Sequence, residues 1–240
     1  MQKIERLSLG SEAARKLEDL TAQVVAAADP KEKAAELWAK LNRDTKKEIQ
    51  RTLAEMSSGL ERCMYCEDSE GTDIEHFMPK SSYPEDAFRW ANYLLACTRC
   101  NSNYKRTRFP LDSRNEPLLI DPTLDDPASH LNFSPTTGLF TGASRRGEVT
   151  IDICGLNRDI CAEGRLNAWT AIEYLIPAYA IEMGSGRDKK ASRILRTLQK
   201  YPFQSVRTYM ARVYAGAEDP ALILSPDVMA SFSSFPELLH

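Results

Sequence analysis

Two Cys-x-x-Cys pairs, Cys63 with Cys66 and Cys97 with Cys100, constrain the fold of this 240-residue chain more than any other feature. Each CxxC turn presents two sulfurs to one point, and four thiolates in two such pairs suit a tetrahedral structural Zn²⁺. The stretch between the pairs, 67–96, is longer than a simple zinc ribbon needs, so it must carry structure of its own. Within it lies the dyad Glu75-His76, and Asn92 and Asn101 stand beside the second pair. A metal that only staples a loop has no need of an acid–His dyad and two placed amides.

The stretch from Cys63 to Phe109, about a fifth of the chain, resembles the HNH nucleases. Their ββα-metal motif is a β-hairpin followed by a helix gripping one catalytic divalent ion. In that family an acidic–His pair ends the first strand, here Ile74-Glu75-His76, and a Pro often follows, here Pro79. An Asn opens the segment leading into the helix, here Asn92, and the last motif position comes directly after a CxxC pair, here Asn101. Glu75 stands where Asp is common in the family, and Asn101 where His is common. More narrowly, IEHFMPKSSYPEDAFRWANYLLACTRCNSN followed by RFPL looks like the HNH subunit of Septu-type anti-phage systems, including those carried with retrons. There the nuclease accompanies an ABC-type ATPase, so the resemblance implies that partner, a nucleic-acid substrate and Mg²⁺ or Mn²⁺ as catalytic ion.

The residue types suit the chemistry so implied. Hydrolysing a phosphodiester needs an activated water, a Lewis acid for charge building on phosphate, and help for the departing 3′ oxygen. His76 is the expected general base, since imidazole alone has an unperturbed pKa near neutrality. Glu75 and Asn101 offer hard oxygen ligands suited to Mg²⁺ or Mn²⁺. Adjacent strand residues point to opposite faces, so Glu75 can aim at the ion while His76 aims at the water. Asn92 is expected to brace the loop that holds the His.

Composition sets the outer bounds. Hydrophobic residues make up 42% and charged residues 27%, an ordinary soluble balance. No apolar run is long enough to span a membrane, and MQKIERLSLG lacks the apolar core of a signal peptide. Six cysteines with four committed to metal fit a reducing cytosol, which places the protein in the cytoplasm. Cys154 and Cys161 read as buried free thiols. A net charge of −3 does not advertise a nucleic-acid binder, so basic charge must be local. Lys80, Arg99, Lys105, Arg106 and Arg108, with Arg114 beyond them, form the expected phosphate-contacting patch.

The expected fold class is α+β, a zinc-stapled ββα-metal core within a mainly α-helical body. Residues 1–59 read as an N-terminal helical region, 60–114 as the nuclease core, and 115–240 as a hairpin-containing segment with a C-terminal helical region. In the first region a helix runs from Ser11 to Ala28 with Ser11 as N-cap, and a second from Asp29-Pro30 to Leu41. A third runs from an Asp44 cap to Met56 and is ended by Gly59. A hairpin is predicted at HLNFSPTTGLFTG, with His130 structural. Helices follow from Asn157 or Asp159 to Met183, kinked at Pro177, from Asp188 to Lys200, and from about Phe203 to Ala215. The Pro- and Ser-rich end, from Glu218, suits a tail packed on a partner or on its own body. The favoured reading is a metal-dependent endonuclease, DNA being the leading substrate. A ribonuclease acting on structured RNA such as tRNA, and a catalytically silent zinc-bearing adaptor, are the alternatives.

Overall fold

Short strands are the first thing to explain, because neither sheet can stand alone. In the computed structural model, which describes residues 1–57 and 60–239, β1 (Asp73–His76) pairs antiparallel with β2 (Tyr93–Ala96), and β3 (Leu131–Phe133) pairs with β4 (Phe140–Gly142). Two-stranded sheets of this length are marginal in water and need a packed backing. The first sheet is backed by α3 (Arg43–Met56), whose Ile49 and Leu53 are fully buried. Each such side chain stabilises by roughly 1.5–3 kcal/mol when taken out of water.

The N-terminal helices are α1 (Ser11–Val25), α2 (Pro30–Lys40) and α3. Two caps differ from those expected. Gly10 precedes α1 in place of Ser11, which already has helical geometry, and the helix stops at Val25. Asn42 rather than Asp44 caps α3, its side chain accepting from Asp44 N at 2.6 Å. Asp29 caps α2 as the sequence suggests, with Pro30 at its first turn. Gly59, expected to end α3, lies outside the described residues.

Beyond the first sheet, the predicted hairpin forms with Leu131 opposite Gly142 and Phe133 opposite Phe140. Its His130 ring bonds Ser144 Oγ at 2.8 Å. A helix not expected from the sequence follows, α4 (Arg145–Cys154), capped by Ser144 and ended by Gly155 in the left-handed conformation. The C-terminal body is α5 (Asp159–Gly184), α6 (Asp188–Lys200) and α7 (Gln204–Arg212). Pro177 lies inside α5 without interrupting it. After α8 (Pro220–Ile223), α9 (Pro226–Ser234) packs on α5. Leu224, Val228, Phe232 and Leu238 are buried, so the tail covers its own body. Buried residues from Met1 to Leu238 join one connected core, and the molecule is α+β with helices predominant. Among the described residues no helix is long and apolar enough to cross a membrane.

The turn from β4 into α4 has no room for a side chain at Gly147, where a Cβ would fall 1.9 Å from the His130 carbonyl oxygen. Gly147→Ala should therefore cost about 1–3 kcal/mol through local overpacking. Urea unfolding monitored by circular dichroism checks this as a fall in midpoint at unchanged slope.

Candidate functional site

The four cysteines of the CxxC pairs are buried and converge, their sulfurs lying within 4.8 Å of one another, with Cys66 Sγ 3.9 Å from Cys97 Sγ. Tetrahedral Zn–S bonds of about 2.3 Å put sulfurs about 3.8 Å apart, so the cluster could hold a zinc ion. The chemistry of the pocket points the same way. Burial pushes the Cys63 thiol well above its usual range, so that sulfur would be a thiolate only beside a cation.

Around the sulfurs stands a second layer from the far end of the chain. Arg158, preceding α5, places Nη1 3.5 Å from Cys100 Sγ and also donates to the carbonyls of Cys154 and Gly155. Cys161, in the first turn of α5, lies with its thiol against Cys66. Nothing in the local sequence signals this approach: Cys161 is buried as expected but borders the cluster, whereas Cys154 is buried apart from it. The knuckle after Cys66 is also fixed remotely. The buried Glu67 carboxylate accepts from the Met1 amine at 2.6 Å and from Ser205 N at 3.1 Å.

The β1–β2 register carries the cluster's order into a cleft of about 380 Å³ lined by Glu75, His76, Lys80 and Asn101. His76 pairs with Tyr93 across the strands, and its Nε2 lies 3.0 Å from the Ala87 carbonyl oxygen. A carbonyl can only accept, so Nε2 carries the proton and Nδ1 keeps its lone pair. Tyr93 Oη donates to the same carbonyl at 2.7 Å. Burial, helped by the charge of Lys80, lowers the His76 pKa to about 3, so the ring is neutral at physiological pH.

Asn92 ties the loop after β1. Its Oδ1 accepts from Met78 N at 2.7 Å, and its Nδ2 donates to the carbonyls of Met78 and Asp86. Asn101 Nδ2 donates to Asp73 Oδ2 at 3.0 Å, leaving Oδ1 as the amide's ligand atom. Glu75 is buried. Lys105 Nζ forms an ion pair with its Oε1 at 2.5 Å. Burial raises the Glu75 pKa and Lys105 opposes the rise. The other Glu75 carboxylate oxygen, Oε2, with the free Asn101 amide oxygen, is a donor set that fits a hard divalent cation.

The expected basic patch is dispersed. Lys105 is fully buried against Glu75 and the His76 carbonyl, which removes it from any phosphate-facing surface. Arg108 donates to the carbonyls of Tyr104 and Ile153 and lies 3.6 Å from Asp152. Arg99 is exposed, while Lys80 and Arg106 line the cleft. A residue that sequence reasoning does not single out is Trp38 of α2, whose ring meets His76 edge-on at 4.5 Å. Its spacing marks only an apolar helix face, and nothing local places that face over β1.

Freshly purified protein should contain about one zinc per chain, and Cys97→Ser should lose it. Arg158→Ala should weaken zinc retention by about 10–100-fold, as loss of a group supporting a ligand does. Elemental analysis and competition with a colorimetric chelator give both readings, and zinc-free wild-type protein would overturn the assignment.

Comparison with known proteins places these features beside Septu components. A Septu protein PtuB of Bacillus thuringiensis is 36% identical over 115 residues, covering 46% of this chain and 41% of that protein. A Septu protein PtuB of Bacillus mycoides (strain KBAB4) is 31% identical over 155 residues, 52% of each chain. A Septu protein PtuA of the same strain is 25% identical over 150 residues, half of this chain and 21% of that protein. No protein-family model matches the chain. The chain spans about half or less of the length of these curated relatives, and what it shares with them is a likeness to Septu proteins.

Proposed function

We propose that the protein is a metal-dependent HNH-type endonuclease serving as the nuclease component of a Septu-type anti-phage complex, with an ABC-type ATPase as partner. The observation that carries the reading is the cleft that holds a neutral His76, its Nε2 fixed by Ala87, together with the oxygens of Glu75 and Asn101. Similarity to PtuB and PtuA supports the defence context.

His76 is suited to take a proton from water at Nδ1, because its other nitrogen is already donating and the ring is uncharged. The burial that lowers its proton affinity is opposed once an anionic phosphate enters beside Lys80, since that negative charge favours the imidazolium. Asn92 contributes by fixing the backbone at Met78, two residues past the base, which limits drift of the ring. Trp38 walls one side of the His76 ring and limits its rotation. Glu75 and Asn101 would hold Mg²⁺ or Mn²⁺, with Lys105 compensating one carboxylate oxygen. When bound, such an ion polarises the scissile phosphate and stabilises the leaving oxygen.

His76→Ala should retain zinc and the circular dichroism spectrum while cleavage falls by about 10²-fold or more. Wild-type cleavage should need added Mg²⁺ or Mn²⁺ and stop with EDTA. Plasmid DNA and transfer RNA, assayed side by side with the purified chain and with the protein of its genomic neighbour, decide the substrate. Unchanged cleavage by His76→Ala would overturn the assignment of the base. Absence of cleavage on both substrates, with and without the neighbour, would overturn the nuclease reading.

A further inference from the structure

The sequence places the phosphate grip just after the second CxxC pair, yet the folded chain engages two of those cations with its own groups. Lys105 is buried on Glu75, and Arg108 is taken up by two carbonyls and Asp152. Lys80 and Arg106 of the expected patch line the cleft, and further cations come from the N-terminal helices. Lys31 of α2 lines it with Lys80 and Arg106, and Lys46 of α3 stands 5.6 Å from the centre of the Trp38 ring. Lys80 Nζ lies 5.8 Å from the same ring, so the indole draws two ammonium groups to the edge of the base. Among the described residues none of these four cations joins an ion pair, and Glu75, the acid that acts on Lys80, is engaged by Lys105.

We infer that α2 and α3 form the substrate-binding wall of this cleft, with Lys31 and Lys46, beside Lys80 and Arg106, gripping the sugar–phosphate backbone on either side of the scissile bond. The inference rests on the nuclease reading and names its binding residues. A partly buried ammonium such as Lys80, with no carboxylate in ion-pair contact, is stabilised by an incoming anion, and three cations lining one cleft, with Lys46 over the Trp38 ring beside them, focus the field there. Trp38 couples the two tasks: one edge meets His76 while its ring attracts Lys46 and Lys80. The N-terminal helices are thereby part of the site, in a chain whose overall charge of −3 gives no general attraction for nucleic acid.

The test measures binding of a short fluorescein-labelled DNA duplex, and of a transfer RNA, to full-length protein in the His76→Ala background over a range of salt. Adding Lys31→Glu and Lys46→Glu should weaken binding at least about 10-fold and reduce the slope of log K against log salt by about two units, roughly one for each phosphate no longer neutralised. The milder Lys31→Gln, Lys46→Gln pair should show the same slope change with a smaller loss, at unchanged zinc content and circular dichroism. Arg193→Glu with Arg196→Glu, on exposed α6, should alter neither. Equal losses from the α6 pair, or binding by the Lys31/Lys46 variants that matches the parent, would overturn the inference and leave the nuclease reading standing. A parent that binds neither nucleic acid would overturn both.

Discussion

Convergence of four buried sulfurs on one point is the constraint from which the rest of the site's geometry follows. The Cys63–Cys66 and Cys97–Cys100 turns are brought together directly beside the sheet, where Met64 N donates to Leu95 O at 2.8 Å and Thr72 N to Ala96 O at 3.1 Å. Those hydrogen bonds fix the register that sets Glu75 opposite Leu94 and His76 opposite Tyr93. In so short a pair a slip of one residue would exchange the faces of Glu75 and His76. A metal held by both turns would oppose that slip far more strongly than four residue pairs can.

Lys105 shows how a charged residue can serve a site without meeting its substrate. Its ammonium bridges Glu75 Oε1 and the His76 carbonyl, linking the helical turn Arg99–Lys105 to the end of β1. Removing one member of such a buried pair strands the other, at a cost of about 3–5 kcal/mol. The ion pair therefore holds the two motif residues at a fixed depth, and it opposes the rise in pKa that burial imposes on the Glu75 carboxyl.

How much is legible in the sequence depends on the range of the interaction. The cysteine turns, the Asp29-Pro30 start of α2 and the β3–β4 hairpin are local signals, and all form where the sequence places them. Interactions between residues distant in sequence are not legible. Trp38 reaches His76 through the packing of α2 on the loop after β1, and Arg158 reaches Cys100 across 58 positions. The burial of Lys105 is hidden for the same reason, since charge in a sequence does not say which face of a turn will be covered. The α4 helix is obscured because the segment before it is rich in Pro, Asp and Thr, while its own start depends on the Ser144 cap and its end on Gly155. Within the candidate site, the grouping of Glu75, His76 and Asn101 in one cleft is what the family resemblance implies, but the walls around them are not.

The Glu67 carboxylate has a bearing on the order of assembly. Its partner Ser205 is 138 positions away, so this hydrogen bond cannot form until most of the chain has left the ribosome. The cysteine turns are complete by residue 100 and can take up metal while the C-terminal helices are still being made. Closing so long a loop costs entropy that the earlier local interactions have not recovered. The cysteine cluster thus exists for a time without the cover of α5 and α7, and in that interval its sulfurs are open to oxidants from which the finished fold buries them.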